Sequence, residues 1–316
     1  MTVQQSGIDL TVPTGGPGPE VDEFATQSKS QSRQAFDRFT HSWLSMGALF
    51  VFIFVIGGSY IAPYFYKWKY ENPDPNPAAQ SVGPGKLGHI LGTDETGFDL
   101  LARIMRGTQR DFLMIIISTA MALVLGVTIG ALAGYFGSFV DNVLMRFVDI
   151  MLAVPYLVIL ILVCSAYPKL AGHAWGIAIM FGLFGWMGLS RLVRAQFLSL
   201  KEREFVEAAH AMGASNSRII MRHLIPNALS TILVFATLFA ATSIVAETSL
   251  TYLGYGVQPP DTSLGLLVSR GVDAVNTRSW LFYYPGLVIV IIVLATNLIG
   301  EGIRNAFDPR NNRVRD

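Results

Sequence analysis

Long apolar runs separated by short polar stretches dominate this chain. Six of them, near residues 44–66, 112–135, 147–167, 174–190, 230–252 and 284–303, are candidates for membrane spans. A helix needs roughly 20 residues to cross about 30 Å of hydrocarbon. The fourth run is the shortest. None alternates apolar and polar positions, as the ~10-residue strands of a transmembrane barrel do. Within a bilayer each backbone polar group must find its partner inside the segment, so helices are the default. The pattern therefore predicts an all-α fold, a polytopic membrane protein with a six-helix transmembrane bundle.

Composition agrees with the pattern. Of the 316 residues, 52% are hydrophobic and only 14% are charged, against about 25% charged in soluble domains. The net charge of +1 carries no signal for nucleic acid, and no nucleic-acid partner is expected; membrane lipid is. The single cysteine, Cys164, lies inside an apolar run and reads as a small core residue. No cleavable signal peptide is expected, because the first 40 residues lack an apolar core segment. Residues 1–34 are rich in Gly, Pro, Ser, Thr and Gln and read as a disordered tail, with the transmembrane domain over 35–316.

Six spans put both termini on one side. That side carries Lys29, Arg33, Arg38, Arg146, Arg304, Arg310, Arg313, Arg315 and the six basic residues of loop 191–229, namely Arg191, Arg194, Lys201, Arg203, Arg218 and Arg222. The positive-inside rule places such a face, and so both termini, in the cytosol. A second basic cluster from Lys67 to Arg110 weakens the bias.

Between the first two runs lies a segment whose first part, ENPDPNPAAQSVGPGK, is Pro-rich and loop-like. Its second part, TGFDLLARIMRGTQRDF, has helical apolar spacing at Leu100, Leu101, Ile104 and Met105. It reads as a short amphipathic helix whose Arg103, Arg106 and Arg110 meet lipid headgroups or an external partner. On the second run Gly126, Gly130 and Gly134 share one helix face and permit close helix packing, within the subunit or against a second one.

Loop 191–229 is structured. Phe205, Ala208, Ala209 and Met212 recur at i, i+3, i+4, i+7 and predict one apolar helix face, with Glu202, Glu204 and Glu207 off it. Gly213 suits the helix C-terminus, Ser215 can cap a second short helix, and Pro226 is expected to break the chain before the fifth run. A solvent-facing helix needs no apolar stripe, so this face is expected to be covered, by a partner or by the bundle itself.

Two ionisable residues fall inside apolar runs, where such groups are functional candidates. Ala236, Ala240, Ser243 and Glu247 share a face of the fifth run; they form either a wall of a translocation path or a packing seam with Glu247 hydrogen-bonded within it. Glu301 is read as an i, i+3 partner of Arg304. No phosphate-binding G-x-x-x-x-G-K-[ST] loop, H-E-x-x-H or G-x-S-x-G occurs, and none of His41, His89, His173, His210 and His223 is read as a metal ligand. The chain is expected to be no enzyme and to hold no cofactor.

The string Glu207-Ala208-Ala209, three residues, Gly213, and then His223-Leu224-Ile225-Pro226 resembles the EAA motif of ABC importer permeases. The family pattern has isoleucine where His223 stands, and histidine there is common in the peptide-importer branch. LGTDETGFDLLARIMRG resembles the segment before the second span in dipeptide and oligopeptide permeases, with Phe98 in place of an arginine. ETSLTYLGYGVQPPDTSLG resembles the end of their fifth span, with Leu264 where tryptophan is usual, and PGLVIVIIVLATNLIGEGIRNAFDPR resembles their last span and tail. The likeness covers most of 85–310 and is to the C-type subunit of the dipeptide/oligopeptide (and nickel) family, a type I ABC importer bundle.

The resemblance implies a permease subunit in a bacterial or archaeal cell membrane. Its implied partners are a homologous B-type permease, two ATP-binding subunits carrying ATP and Mg, and an extracytoplasmic substrate-binding protein. It makes Phe205, Glu207, Ala208, Ala209, Met212, Gly213 and Pro226 the ATPase-coupling residues, with Ser243 and Glu247 as candidates for the path. Importers of nickel, haem or another small solute share the fold. A proton-coupled secondary transporter and a membrane scaffold are the rivals from other classes.

Overall fold

The computed structural model describes residues 31–307, and these form a helical bundle whose only β pairing is two isolated bridges, Lys86 with His89 and Thr93 with Asp99. The expected tail 1–34 lies outside the described residues except for its last four positions, which already open α1 (Gln31–His41). The remaining helices are α2 (Trp43–Phe65), α3 (Leu100–Phe136), α4 (Ser138–Leu152), α5 (Tyr156–Ala166), α6 (Pro168–Ala171), α7 (Ala174–Gly185), α8 (Met187–Leu200), α9 (Glu204–Ala211), α10 (Asn216–Ile219), α11 (Ile225–Tyr252), α12 (Leu264–Val272) and α13 (Trp280–Phe307). Among the described residues five continuous helical segments are long and apolar enough to cross a membrane, and the bent α4–α5 pair makes a sixth.

Four segments differ from the expectation. The amphipathic stretch before the second run is no separate helix; it is the first part of the 37-residue α3, whose N-terminus is capped by Asp99 accepting from the Ala102 amide at 2.7 Å. The third run is broken. α4 and α5 meet at 80° across Ala153-Val154-Pro155, where Pro155 lacks the N–H that would continue α4 and disfavours helical geometry at the residue before it. The fourth run continues to Leu200 through α7 and α8, so the expected loop 191–229 begins inside a helix.

Pro226 does not break the chain. α10, a π turn over Ile220–Leu224 and α11 form one helical segment from Asn216 to Tyr252. Widening the helix there, with the Ile225 amide reaching back to the Ile220 carbonyl, accommodates the proline's missing donor. The Asn227 side-chain amide satisfies the His223 carbonyl at 2.6 Å.

Packing explains the glycines. A Cβ at Gly126 would lie 2.8 Å from Leu189 Cβ; at Gly130, 2.5 Å from the Ser190 carbonyl; at Gly134, 2.6 Å from Phe197 Cβ. The stripe therefore seats α8 against α3 within this subunit, which settles the two readings left open by the sequence. Leu189, Val193 and Phe197 are wholly buried there.

The bundle has two distinct ends. At one, α1 packs on the last turns of α13, with Arg38 donating to the Ala306 carbonyl at 3.3 Å, and the α9–α10 elbow closes the far end of α3. Glu301 and Arg304 pair as expected, at 3.9 Å and largely exposed, which contributes little. At the other end residues 66–99 fold into an ordered cap. The ring of His89 is buried between two carboxylates, Nδ1 at 2.8 Å from Asp99 and Nε2 at 3.1 Å from Asp74, and stacks on Trp68 with centroids 4.2 Å apart. The Asn76 amide holds the Asp74 carboxyl below its ordinary range, while burial and the neighbouring Asp99 push the Tyr66 phenol up.

The three arginines expected to meet headgroups or a partner pair with carboxylates of this chain instead. Arg103 binds Asp94 at 2.8 Å and covers the Phe98 ring at 3.9 Å; Arg106 and Arg110 both reach Asp261, at 3.2 and 2.5 Å. Phe98 thus gives the guanidinium of Arg103 an apolar face to lie on.

Candidate functional site

The α9–α10 elbow is fully formed. The Gly213 amide donates to His210 O at 2.9 Å and the Ala214 amide to Ala209 O at 3.0 Å, the paired bonds of a Schellman cap. Gly213 sits at φ +77° with nothing within 4 Å of a hypothetical Cβ, so backbone conformation rather than space is what asks for glycine. Ser215 caps α10 by accepting from the Arg218 amide at 3.4 Å. Tyr135, at the end of α3, donates to Asn216 Oδ1 at 2.8 Å and ties the elbow to the bundle.

The predicted four-residue apolar face is divided. Ala209 is 2% exposed and packs with Val206, Ile219 and Leu224 into the core that also holds Val193 and Phe197. Phe205, Ala208 and Met212 point away from the bundle, Met212 81% exposed, beside the exposed Glu204 and Glu207. The period of 3.6 located the stripe but not its partners: Val206 and Ala209 anchor α9, and Phe205, Ala208 and Met212 form an outer surface. Pro226 lies exposed at the start of α11, away from α9's outer surface in sequence and held in the helix that follows the elbow.

The two path candidates are separated. Glu247 is completely buried where α3, α11 and α12 meet. Its Oε1 accepts from Thr251 Oγ at 2.8 Å and from Ser263 Oγ at 2.7 Å, so it fastens α12 to α11. A Cβ at Gly265 would come within 2.3 Å of its Oε2. Asp111 on α3, which the sequence reading did not single out, is buried as well, and it accepts from the Leu264 amide at 3.2 Å. Its signal in the sequence was an acid one turn after Gly107 on the face that continues to Met114 and Ile115, all buried. Glu247 is therefore placed in a packing seam. Ser243 instead borders a recess of about 260 Å³ beside the α4–α5 break, its hydroxyl bonded to the Phe239 carbonyl at 2.7 Å.

The seam yields a stability prediction. Glu247→Ala leaves the Thr251 and Ser263 hydroxyls without their acceptor in a buried site, at a cost of about 1–3 kcal/mol. Glu247→Gln retains an oxygen for both. Thermal unfolding of the purified subunit in detergent is expected to show a lowered Tm for the alanine variant and most of it restored for glutamine. Equal losses would mean that these hydrogen bonds are not what the carboxyl contributes.

Comparison with known proteins places this architecture. Residues 126–313 match the family described as the inner membrane component of binding-protein-dependent transport systems. Residues 30–84 match the N-terminal transmembrane domain of oligopeptide transport permease C. The oligopeptide transport system permease protein OppC of Mycobacterium tuberculosis (strain ATCC 25618 / H37Rv) is 36% identical over 290 residues, 92% of this chain and 98% of that protein. The chain belongs to the family of inner membrane components of binding-protein-dependent transport systems. Other relatives in that family include OppC of Escherichia coli (strain K12), 33% identical over 92% of this chain and 95% of its own length. The dipeptide transport system permease protein DppC of Alkalihalophilus pseudofirmus is 34% identical over 95% of this chain and 96% of its own.

The fold is that of a solved inward-facing structure of the MetNI methionine ABC transporter. It superposes with a TM-score of 0.53 at 19% identity and covers 65% of this chain and 96% of that one. Family membership makes this a multi-pass membrane protein that works with other transporter subunits, and it sets aside the proton-coupled transporter and scaffold readings.

Proposed function

We propose that this chain is the C-type permease subunit of an ATP-driven importer of dipeptides or oligopeptides. It forms half of the translocation path beside a homologous B-type permease and is driven by two separate ATP-binding subunits that carry ATP and Mg. An extracytoplasmic binding protein delivers the cargo. The observation that carries the reading is the rigid α9–Gly213–α10 elbow with its outer surface of Phe205, Glu207, Ala208 and Met212 left uncovered, in a chain whose relatives are named oligopeptide and dipeptide permeases. A charged helix that needed only solvent would have no use for Phe205 and Met212 outside. Ala209 and Gly213 set the elbow's shape, and Pro226 stands where it joins α11.

Proteoliposomes holding this chain with its three kinds of partner are expected to take up labelled peptide only with ATP inside the ATPase compartment. Absence of uptake with an assembled, ATP-hydrolysing complex would overturn the peptide assignment. Orientation has its own test. The basic residues of α8–α10 and their flanks support a topology with the elbow and both termini in the cytosol. Ser215→Cys in a Cys164→Ala background is expected to be shielded from impermeant thiol reagents in intact cells and to react after permeabilisation. Labelling in intact cells would reverse the topology.

A further inference from the structure

The bend between α4 and α5 lies midway along the 138–166 segment, and Leu152, Ala153, Val154 and Pro155 are all exposed there. Non-helical backbone at membrane depth is tolerated only where protein covers it or where it borders a water-filled cavity. Beside the bend is the 260 Å³ recess, whose other walls come from the α7–α8 junction and the middle of α11. Tyr156, Met187, Gly188, Phe235, Phe239 and Thr242 define it, and no ionisable carboxylate or amine lines it.

Its hydroxyls are already engaged. Tyr156 donates to the Phe181 carbonyl at 3.2 Å, Thr242 to the Leu238 carbonyl at 3.0 Å, and Ser243 to the Phe239 carbonyl. Such a wall offers aromatic and thioether contact and shape, but no donor or charge to fix a peptide's termini or backbone. The volume is just below the roughly 300 Å³ at which whole-ligand pockets begin, a size for one side chain rather than for a whole peptide.

We propose that this recess is the part of the translocation path that receives the apolar or aromatic side chains of the passing peptide, and that Gly188 sets the bulk it admits. The inference rests on the peptide-importer reading for its cargo and on the bend for its access to water. Contact through shape alone tolerates many sequences and discriminates by size; apolar pockets of this kind separate ligands by roughly 10- to 200-fold. Gly188 is the place to intervene. It is exposed, and a Cβ there meets nothing nearer than the edge of Phe235 at 3.6 Å, ordinary contact, so a larger side chain grows into the recess without moving backbone.

Two measurements on the complete reconstituted transporter test this. In the first, Gly188→Phe is compared with Gly188→Ala for uptake of triglycine and of a tripeptide carrying a central tryptophan. The ratio of tryptophan-peptide to triglycine uptake is expected to fall about tenfold or more in the phenylalanine variant. An unchanged ratio overturns the proposal. In the second, Gly188→Cys in a Cys164→Ala background is treated with a small, water-soluble thiol reagent. Reaction is expected, because the thiolate forms only in contact with water. No reaction means that lipid or the second permease covers the site, and it overturns the path assignment whatever the cargo is. A wild-type complex that takes up neither peptide, while the Gly188→Cys complex labels, would sink the peptide reading while leaving the recess on a water-filled path.

Discussion

Gly130→Leu is expected to remove the folded subunit from the membrane. A first side-chain carbon at this position already falls 2.5 Å from the Ser190 carbonyl oxygen and 2.8 Å from Val193 Cβ, both on α8. One obstacle is backbone, so no rotamer change relieves it, and α8 must move off α3. That movement also uncovers Leu189, Val193 and Phe197, which are fully buried against α3 and the elbow. Overpacking alone costs about 1–3 kcal/mol and occasionally more, and separating the two helices adds lost contact area along the whole seam. Each 1.4 kcal/mol is about tenfold in the folded population. The measurement is the amount of detergent-extracted, monodisperse subunit relative to wild type, with Gly57→Leu as the comparison. A Cβ at Gly57 has nothing within 4 Å, and that variant is expected to fold within the subunit at wild-type levels. If both leucine variants behave alike, the glycine seam is not what holds α3 to α8.

Much of the fold was legible because hydrocarbon imposes its own pattern: five of the six apolar runs correspond to single membrane-length segments, with ends shifted where polar residues extend the helix. The shifts share one cause. Apolar length marks where a helix meets lipid or core, but a helix continues past that zone wherever capping and packing support it. Asp99 therefore starts α3 well before residue 112, and α8 runs to Leu200. The prolines act against their local surroundings: the break expected at Pro226 does not occur, and one occurs at Pro155. Pro155 stands in an unbroken apolar run, and apolar continuity hid the bend; Pro226 stands in a polar loop, where a π turn lets the helix pass. Local steric rules state what a proline removes, not how the neighbours make up for it.

The seam at Glu247 was half visible. A lone acid in a span announces itself, but its partner Ser263, and the hydrogen bond from the Leu264 amide to Asp111 beside it, are brought in by α12 and α3 from elsewhere in the chain. The cap around His89 was invisible for the same reason: a Pro-rich stretch gives no local sign that Asp74 and Asp99 will close on one imidazole.

The coupling surface carries the other large expectation. Ala208→Asp places a carboxylate between Phe205 and Met212 on the outer side of α9, beside Glu204 and Glu207. In the isolated subunit this position is exposed, so the change is expected to fall within about ±0.5 kcal/mol of wild type in stability, with normal membrane levels. Against a docked ATPase the same carboxylate loses its water with no partner provided, a cost of several kcal/mol for a buried charge. A third carboxylate on the same surface adds repulsion to it. ATPase co-purification and peptide uptake are expected to fall by about a hundredfold, equivalent to roughly 2.8 kcal/mol of lost docking. Ala209→Asp is the informative contrast. Ala209 is buried in the subunit's own core, so that variant is expected to lose the subunit itself rather than its partner. Gly213→Val tests the elbow from the other side. The added side chain meets no atom, but a β-branched residue is forced into φ +77°, which strains the Schellman cap and turns α9 relative to α10. It is expected to keep the spans inserted while weakening ATPase association. Wild-type association and uptake by Ala208→Asp would show that this face docks no ATPase and would remove the elbow from the coupling path.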